Sequence, residues 1–336
     1  MPLKLTFDTN GDPAKVLYIT AYDMPIPSEK EVLIQTIAAP VNPVDINVVQ
    51  GKYIFNFEQV GFEGVGRVIK TGKGVKNFKI GHHVVPTVYA GTWRTHFTLH
   101  EDNLLRIPKD MDIALAATFY VNPVTVYAML KDFIKLEPGD TVIQNGANSA
   151  CGVIVIQMCK TWGINTVNVV RDRPNINELK QFLKDLGATY VLTEKEIKET
   201  NIFKTGQLDM PSLGLNCIGG DLANNILRHL KDEGVLVTYG GMSLEPIKVS
   251  TTPLVFKNIK IEGFNVTRWV NKERNVVKLP AIYKDIIDMI MNGDLKAPPH
   301  VFVNFMDYKK ALSSVLTKNG MVGSKYILDF RTPPKM

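Results

Sequence analysis

The sequence predicts an α/β chain of two domains, a mostly β domain of barrel type and a doubly wound parallel sheet. Three observations predict it. The 336 residues exceed the size at which one hydrophobic core usually keeps growing. From Met1 to about Ala117, short alternating runs (Glu31 to Ile37, Gly64 to Ile69, Arg94 to Leu99) are punctuated by Gly and Pro, the texture of a compact β domain. From about Asp140 to Met291, strand-like runs alternate with amphipathic helices, which implies βαβ units and a parallel sheet.

The N-terminal run Met1 to Phe7 reads directly as an alternating strand. It has neither the apolar core of a secretory signal nor the Arg- and Ser-rich character of an organelle presequence. The chain is therefore expected in the cytosol, or is given without its presequence. No apolar run reaches the ~18 residues of a membrane span, so no membrane insertion is expected. The helix after Pro174 is read from Asn175 as cap, Glu178 three residues on, and Leu179, Phe182, Leu183 and Leu186 along one face. Gly187 stops it. The C-terminal segment holds a helix, Asp307 to Leu316, and a final strand, Lys325 to Phe330. That tail is expected to rejoin the first domain, giving domains of 1–117 with 294–336, and 118–293.

Charge and cysteine usage exclude several classes. The 39 Lys and Arg against 33 Asp and Glu give a net charge of +6, scattered rather than blocked, which is ordinary surface solvation. No basic stripe with interleaved aromatics points to nucleic acid. A basic mouth for an acidic or phosphorylated substrate remains compatible. Cys151, Cys159 and Cys217 form an odd, sparse set without a C-x-x-C pair, against both a disulfide framework and a cysteine-rich zinc site. The six histidines lack H-E-x-x-H spacing, and His82 and His83, adjacent on an expected strand, point to opposite faces. No metal is expected.

The run Thr141 to Gly152 follows the turn Glu137-Pro138-Gly139-Asp140 and leads into a helix from Val153 to Thr161. Strand, small-residue turn and helix are the context of a dinucleotide fingerprint. There the backbone approaches the pyrophosphate, and amides at the helix start bind its charge. Only Gly146 and Gly152 remain of the glycine pattern, so the motif alone does not separate a fingerprint from an ordinary βα turn. The second strand, Asn165 to Val170, ends in Arg171-Asp172-Arg173-Pro174. An acidic residue at this corner suits the ribose hydroxyls of NAD, whereas arginine suits a 2′-phosphate. Two arginines flank the corner, which points to NADP over NAD, and Asp172 reads as a turn aspartate paired to its neighbours. The later run Gly234 to Met242 reads as another parallel strand ending in a glycine turn.

With these pieces in place, the chain resembles the mitochondrial trans-2-enoyl thioester reductases, a zinc-free branch of the medium-chain dehydrogenase/reductase superfamily. The matching segments include Asn10 to Val16, Val41-Asn42-Pro43-Val44-Asp45-Ile46-Asn47, Gln50 to Tyr53 and Gly91-Thr92-Trp93-Arg94-Thr95. Val121-Asn122-Pro123, Val169 to Pro174, Leu215 to Gly220 and Thr238-Tyr239-Gly240-Gly241-Met242 complete them. The arginine corner together with G-T-W-R-T and Y-G-G-M is what marks this branch.

The resemblance implies a GroES-like, mostly β catalytic domain built from both chain ends around a Rossmann-type nucleotide domain. It implies NADPH-dependent reduction of an enoyl thioester carried on acyl carrier protein or coenzyme A, a mitochondrial setting and a homodimer. It places the catalytic tyrosine on Tyr53. Cofactor contacts fall on Asn122, on Asn148, Ser149, Ala150 and Cys151, on Arg171, Asp172 and Arg173, and on Tyr239, Gly240, Gly241 and Met242. Phe264, Asn265, Val266 and Lys325 complete that set.

The chain departs from the family at Asn265, where tryptophan is usual, and at Phe62, where asparagine is usual before Glu63. The loop after Tyr53 is shorter. Cys151 reads as a small filler near a helix start, where a lowered thiol pKa would otherwise make it reactive. A quinone or enone reductase of the same superfamily, or an NADPH-binding protein without turnover, shares the same scaffold.

Overall fold

A computed structural model of the chain describes residues 1–52, 59–316 and 324–332. It divides into two compact units, Met1–Val121 with Ala297–Met336, and Asn122–Lys296.

The first unit begins with an antiparallel pair, β1 (Leu3–Thr6) and β2 (Tyr18–Ala21). Then come β3 (Glu31–Pro40), β4 (Val65–Thr71), β5 (His83–Pro86), β6 (His96–His100) and β7 (Leu104–Ile107). The second unit holds β8 (Thr141–Asn145), β9 (Asn165–Val170), β10 (Tyr190–Thr193), β11 (Leu213–Asn216), β12 (Val235–Thr238) and β13 (Lys260–Gly263). The chain then returns to the first unit as β14 (His300–Asn304) and β15 (Lys325–Asp329).

In the first unit the main sheet runs β14-β15-β3-β4-β5-β7, with β6 also pairing β3. The long strand β3 therefore organises the unit, pairing antiparallel with β4, β6 and β15. The tail closes onto it: Ile327, Leu328 and Asp329 face Pro40, Ala39 and Ala38. The helix Tyr308–Leu316 adds Tyr308, Ala311 and Leu312 to a core that also contains Leu5, Leu17, Val49 and Trp93. Its Tyr308 hydroxyl donates to the Leu17 carbonyl at 2.7 Å, satisfying the one polar end of an otherwise apolar anchor.

The second unit is a parallel sheet in the order β10-β9-β8-β11-β12-β13. Counted from β8, that is third, second, first, fourth, fifth, sixth, so the order reverses between β8 and β11. Ligands of such sheets bind outside the carboxyl ends of the strands at this reversal. The strand bounds of β9 coincide with the run Asn165 to Val170 read from the sequence. The helix after Pro174 spans Ile176–Asp185, and only its Leu183 is fully buried, with Leu179, Phe182 and Leu186 half-buried. Asn175 precedes it but makes no side-chain capping bond, contrary to the sequence expectation. Its backbone lies at φ −98°, ψ 34°, away from the extended conformation that aims a cap side chain at the first amides.

Apolar side chains fill the centre of this unit, among them Ile143, Val167, Leu236 and Ile226. Through it runs a polar ladder. Gln144 donates to Asn168 at 2.8 Å, and Asn145 donates to Asn216 at 2.8 Å. Asn145 in turn accepts the Cys217 amide, and Asn216 accepts that of Gly219. Among the described residues, no helix is long and apolar enough to cross a membrane.

A buried amide that loses its partner forfeits its hydration without replacement. Asn145→Ala and Asn216→Ala should therefore each cost ~1–3 kcal/mol. Because both remove the same contact, the double variant should lose less than the sum. Urea unfolding of the four proteins measures this; simple additivity would mean that the two amides act independently.

Candidate active site

The carboxyl ends of β8, β9, β12 and β13 carry most of the residues singled out in the sequence. After β8 the chain turns at Gly146, with φ +59°, where a Cβ would lie 2.6 Å from the Cys217 sulfur. Only glycine fits that turn. Ser149 then caps the helix Ala150–Thr161, its hydroxyl accepting the Gly152 amide at 3.1 Å. Gly152 itself is obligatory for packing, since a Cβ there would meet the Ala147 carbonyl oxygen at 2.4 Å. Asn148, Ser149, Ala150 and Cys151 all remain partly accessible. The first amides of the helix have no intrahelical acceptor and carry the positive end of its dipole.

Cys151 lies on the first turn and its thiol donates to Asn122 Oδ1 at 3.4 Å. The contact joins two residues that sequence reading placed separately. Asn122, 5% exposed, keeps its Nδ2 buried without an acceptor. An orphaned donor of this kind asks for a ligand carbonyl. Tyr239 follows β12, and its hydroxyl is shut from solvent near Ser149, Cys151 and Cys217. Burial first, then its neighbours Cys217 and Cys151, raise its pKa well above the usual value, so it stays protonated. Gly240 packs close to the Cys217 carbonyl, Gly241 faces open space, and Met242 is half-exposed.

At the end of β9, Arg171 and Asp172 are exposed and Arg173 is half-buried. The Asp172 carboxylate accepts the Arg173 amide at 2.9 Å, so it serves the turn itself. Arg173 Nε donates to the Arg171 carbonyl at 3.3 Å. Burial and then the Arg171 charge lower the Arg173 pKa, with Glu194 opposing them. The Arg171 charge thus acts on Arg173 across this corner.

Beyond β13, the Phe264 ring packs against Phe133 and Trp269, with centroids at 6.1 and 6.3 Å. Trp269 is anchored by its indole N–H on Asp132 at 2.8 Å. Asn265 caps the short helix Val266–Val270 by accepting the Arg268 amide, and Val266 is buried beneath it.

Lys325 belongs to the first unit. Tyr53 and residues 54–58 lie outside the described residues. The Lys325 ammonium donates to Asn42 Oδ1. Around it lies a cluster that the sequence reading quoted as motif but gave no role: Asn42, Asp45 and Glu63, exposed by only 2%, 2% and 1%. Burial pushes both carboxyls up to about 7, against the opposing pull of Lys325 and their hydrogen-bond donors. The available signal was the acidic residue two places after Pro43, a charged group in a helix made mostly of apolar residues.

The organisation is matched by two family models. Residues 28–109 match the alcohol dehydrogenase GroES-like domain, and residues 150–281 match a zinc-binding dehydrogenase domain. Among the described residues, no group of three or more His, Cys, Asp or Glu is placed to hold a metal ion. Together the fold and these matches define a two-unit dehydrogenase of the GroES-like type. The enoyl-[acyl-carrier-protein] reductase, mitochondrial, of Rattus norvegicus is 43% identical over 317 residues, 92% of this chain and 84% of that protein. That of Homo sapiens is 40% identical over 331 residues, 96% of this chain and 87% of that protein. The chain belongs to the mitochondrial enoyl-[acyl-carrier-protein] reductase family. Among solved structures, an Etr1p/NADP/crotonyl-CoA complex superposes with a TM-score of 0.89 at 31% identity, covering 98% of this chain and 99% of that one. An Escherichia coli quinone oxidoreductase complexed with NADPH, 20% identical with a TM-score of 0.83 and 97% and 99% coverage, shares the fold.

The buried carboxyls carry a pH consequence. A carboxyl whose folded pKa is raised keeps its proton where the unfolded chain has released it. Its contribution to stability is therefore present at low pH and falls as pH climbs from the ordinary carboxylate range toward about 7. Glu63→Gln removes one such group. Relative to the wild type, the variant should gain thermal stability between about pH 5 and about pH 8; parallel melting curves across that range would contradict a raised Glu63.

Proposed function

We propose that this chain reduces trans-2-enoyl thioesters to saturated acyl thioesters with NADPH. The observation that carries the reading is the sequence shared with enoyl-[acyl-carrier-protein] reductases across both units. The arginine corner favours NADPH over NADH, because planar guanidiniums match phosphate oxygens. Bound NADPH supplies a hydride for the β-carbon of the enoyl group.

The chain's own residues do the rest. Arg171 and Arg173 hold the 2′-phosphate. Amides at the start of the helix 150–161 neutralise the pyrophosphate. The inward-facing Asn122 amide and the Tyr239 hydroxyl offer polar contacts to the cofactor near Cys151, and Phe264 and Val266 give that site an apolar wall. Lys325 adds an ammonium from the first unit. Negative charge develops on the thioester oxygen during the reaction. The Tyr53 hydroxyl donates a hydrogen bond there and passes a proton toward the α-carbon.

Acyl carrier protein is the proposed physiological carrier, with coenzyme A thioesters as alternative substrates, and the proposed compartment is the mitochondrion. A homodimer through β13 is also proposed. That strand ends the parallel sheet with all four residues exposed, beside Val255 and Phe256 at 71% and 79% exposure. An uncovered edge next to large apolar side chains invites pairing with a second copy.

The function is tested by NADPH oxidation with trans-2-enoyl-CoA, with a quinone, and with neither. Thioester-dependent turnover is expected, and Tyr53→Phe should lower its kcat by ~10²–10³. Turnover confined to the quinone would defeat the proposal. Replacing both Arg171 and Arg173 by alanine should weaken NADPH far more than NADH in a binding titration; equal losses would refute the 2′-phosphate assignment.

A further inference from the structure

The cluster around Lys325 has a direction. Glu63 Oε2 accepts the Val121 amide at 2.8 Å, and its Oε1 accepts Asn42 Nδ2 at 2.9 Å. The other end of that amide, Oδ1, accepts the Lys325 ammonium. Asp45 fixes the backbone beneath, accepting the Asn42 amide and the Phe62 amide, each at 2.8 Å. All six residues belong to the first unit.

Chemistry dictates the polarity of the chain. Above about pH 7, where Glu63 is ionised and can only accept, Asn42 must turn its NH₂ toward it. Its carbonyl oxygen is thereby left for Lys325, which only donates. Glu63 thus selects one of the two amide orientations of Asn42, and the selected one holds an ammonium. The reverse orientation would set NH₂ against NH₃⁺.

Lys325 is the counter-charge that offsets part of the cost of burying Glu63 and Asp45, so stability accounts for only part of this arrangement. Buried carboxylates are expensive to desolvate, and well-packed apolar replacements of buried ionic groups are often neutral or stabilising. An acceptor chain ending on a cation is better explained by what that cation contacts.

We infer that Glu63 and Asn42 are positioning residues, which act through the Lys325 ammonium to hold it ready for the anionic cofactor. The inference rests on the proposed role of Lys325 as a cofactor contact. It adds two residues that do not themselves touch the cofactor.

A double-mutant cycle tests it, read as the NADPH dissociation constant by calorimetry and, separately, as KM for the enoyl thioester. Lys325→Met should weaken NADPH on the order of tenfold, the scale of a lost charged hydrogen bond. Glu63→Gln, nearly isosteric, lets Asn42 flip and should weaken NADPH several-fold, with KM for the thioester nearly unchanged. In Glu63→Gln combined with Lys325→Met, binding should be no weaker than in Lys325→Met alone, because Glu63 has lost the group it acts through. If Glu63→Gln does not fold, Asn42→Ala supplies the same arm, since it keeps the backbone bond to Asp45.

An unchanged NADPH affinity in Lys325→Met would overturn the cofactor role of Lys325. If that variant weakens binding but Glu63→Gln has no effect, or the two losses multiply in the double variant, the positioning role is overturned while the cofactor role stands.

Discussion

Asn145 and Asn216 face each other across the reversal point of the parallel sheet, and the shape of the nucleotide crevice depends on that contact. The two strands there, β8 and β11, send their chains to opposite sides, and the turns they lead into must both stay open to a ligand. A purely apolar pair would pack as well but would leave the amides of Cys217 and Gly219 without acceptors. Instead the two side chains take those amides and each other, in a region with no access to water. Gly146 and the Cys217 sulfur then fit against one another with no room for a Cβ.

Much of this was legible in the sequence, and the reasons are local. The run Asn165 to Val170 is a strand because four of its six residues are β-branched, and it ends at the Arg171-Asp172-Arg173-Pro174 corner. The helix 150–161 follows from its cap and small residues. Asn175 misled, since capping needs a backbone conformation as well as a residue type, and the turn after Pro174 sets a different one. Polar residues inside β8, β9 and β11 were visible as interruptions of apolar runs, but a single strand does not reveal which of its neighbours will answer them.

The Lys325 cluster was hidden for a different reason. Its members come from segments that are far apart along the chain, and no periodicity connects them. Strand register does. The Val41 amide donates to the Tyr326 carbonyl at 2.9 Å, extending the β15–β3 ladder by one step and bringing Lys325 beside Asn42. A one-residue slip would turn Lys325 to the other face. The apolar residues that fix this register, Ile327 and Leu328 against Ala39 and Pro40, therefore also fix an electrostatic site.

The arginine corner works on the opposite principle from that cluster. The Lys325 ammonium is held by the Asn42 carbonyl oxygen, whereas the Arg173 guanidinium is held by the Arg171 backbone carbonyl, and the Arg171 charge opposes that of Arg173. On the proposed assignment, a phosphate bound between the two groups would offset the repulsion between like charges. A cofactor without that phosphate leaves the repulsion in place. Discrimination is a difference of affinities, and on the proposed assignment two like charges at one corner favour the cofactor that brings the extra phosphate over the one that lacks it. Asp172 directs its carboxylate at the Arg173 amide, so its hydrogen-bonding capacity serves the turn. An acidic residue between two arginines is thus compatible with recognition of a phosphate by the guanidiniums that flank it.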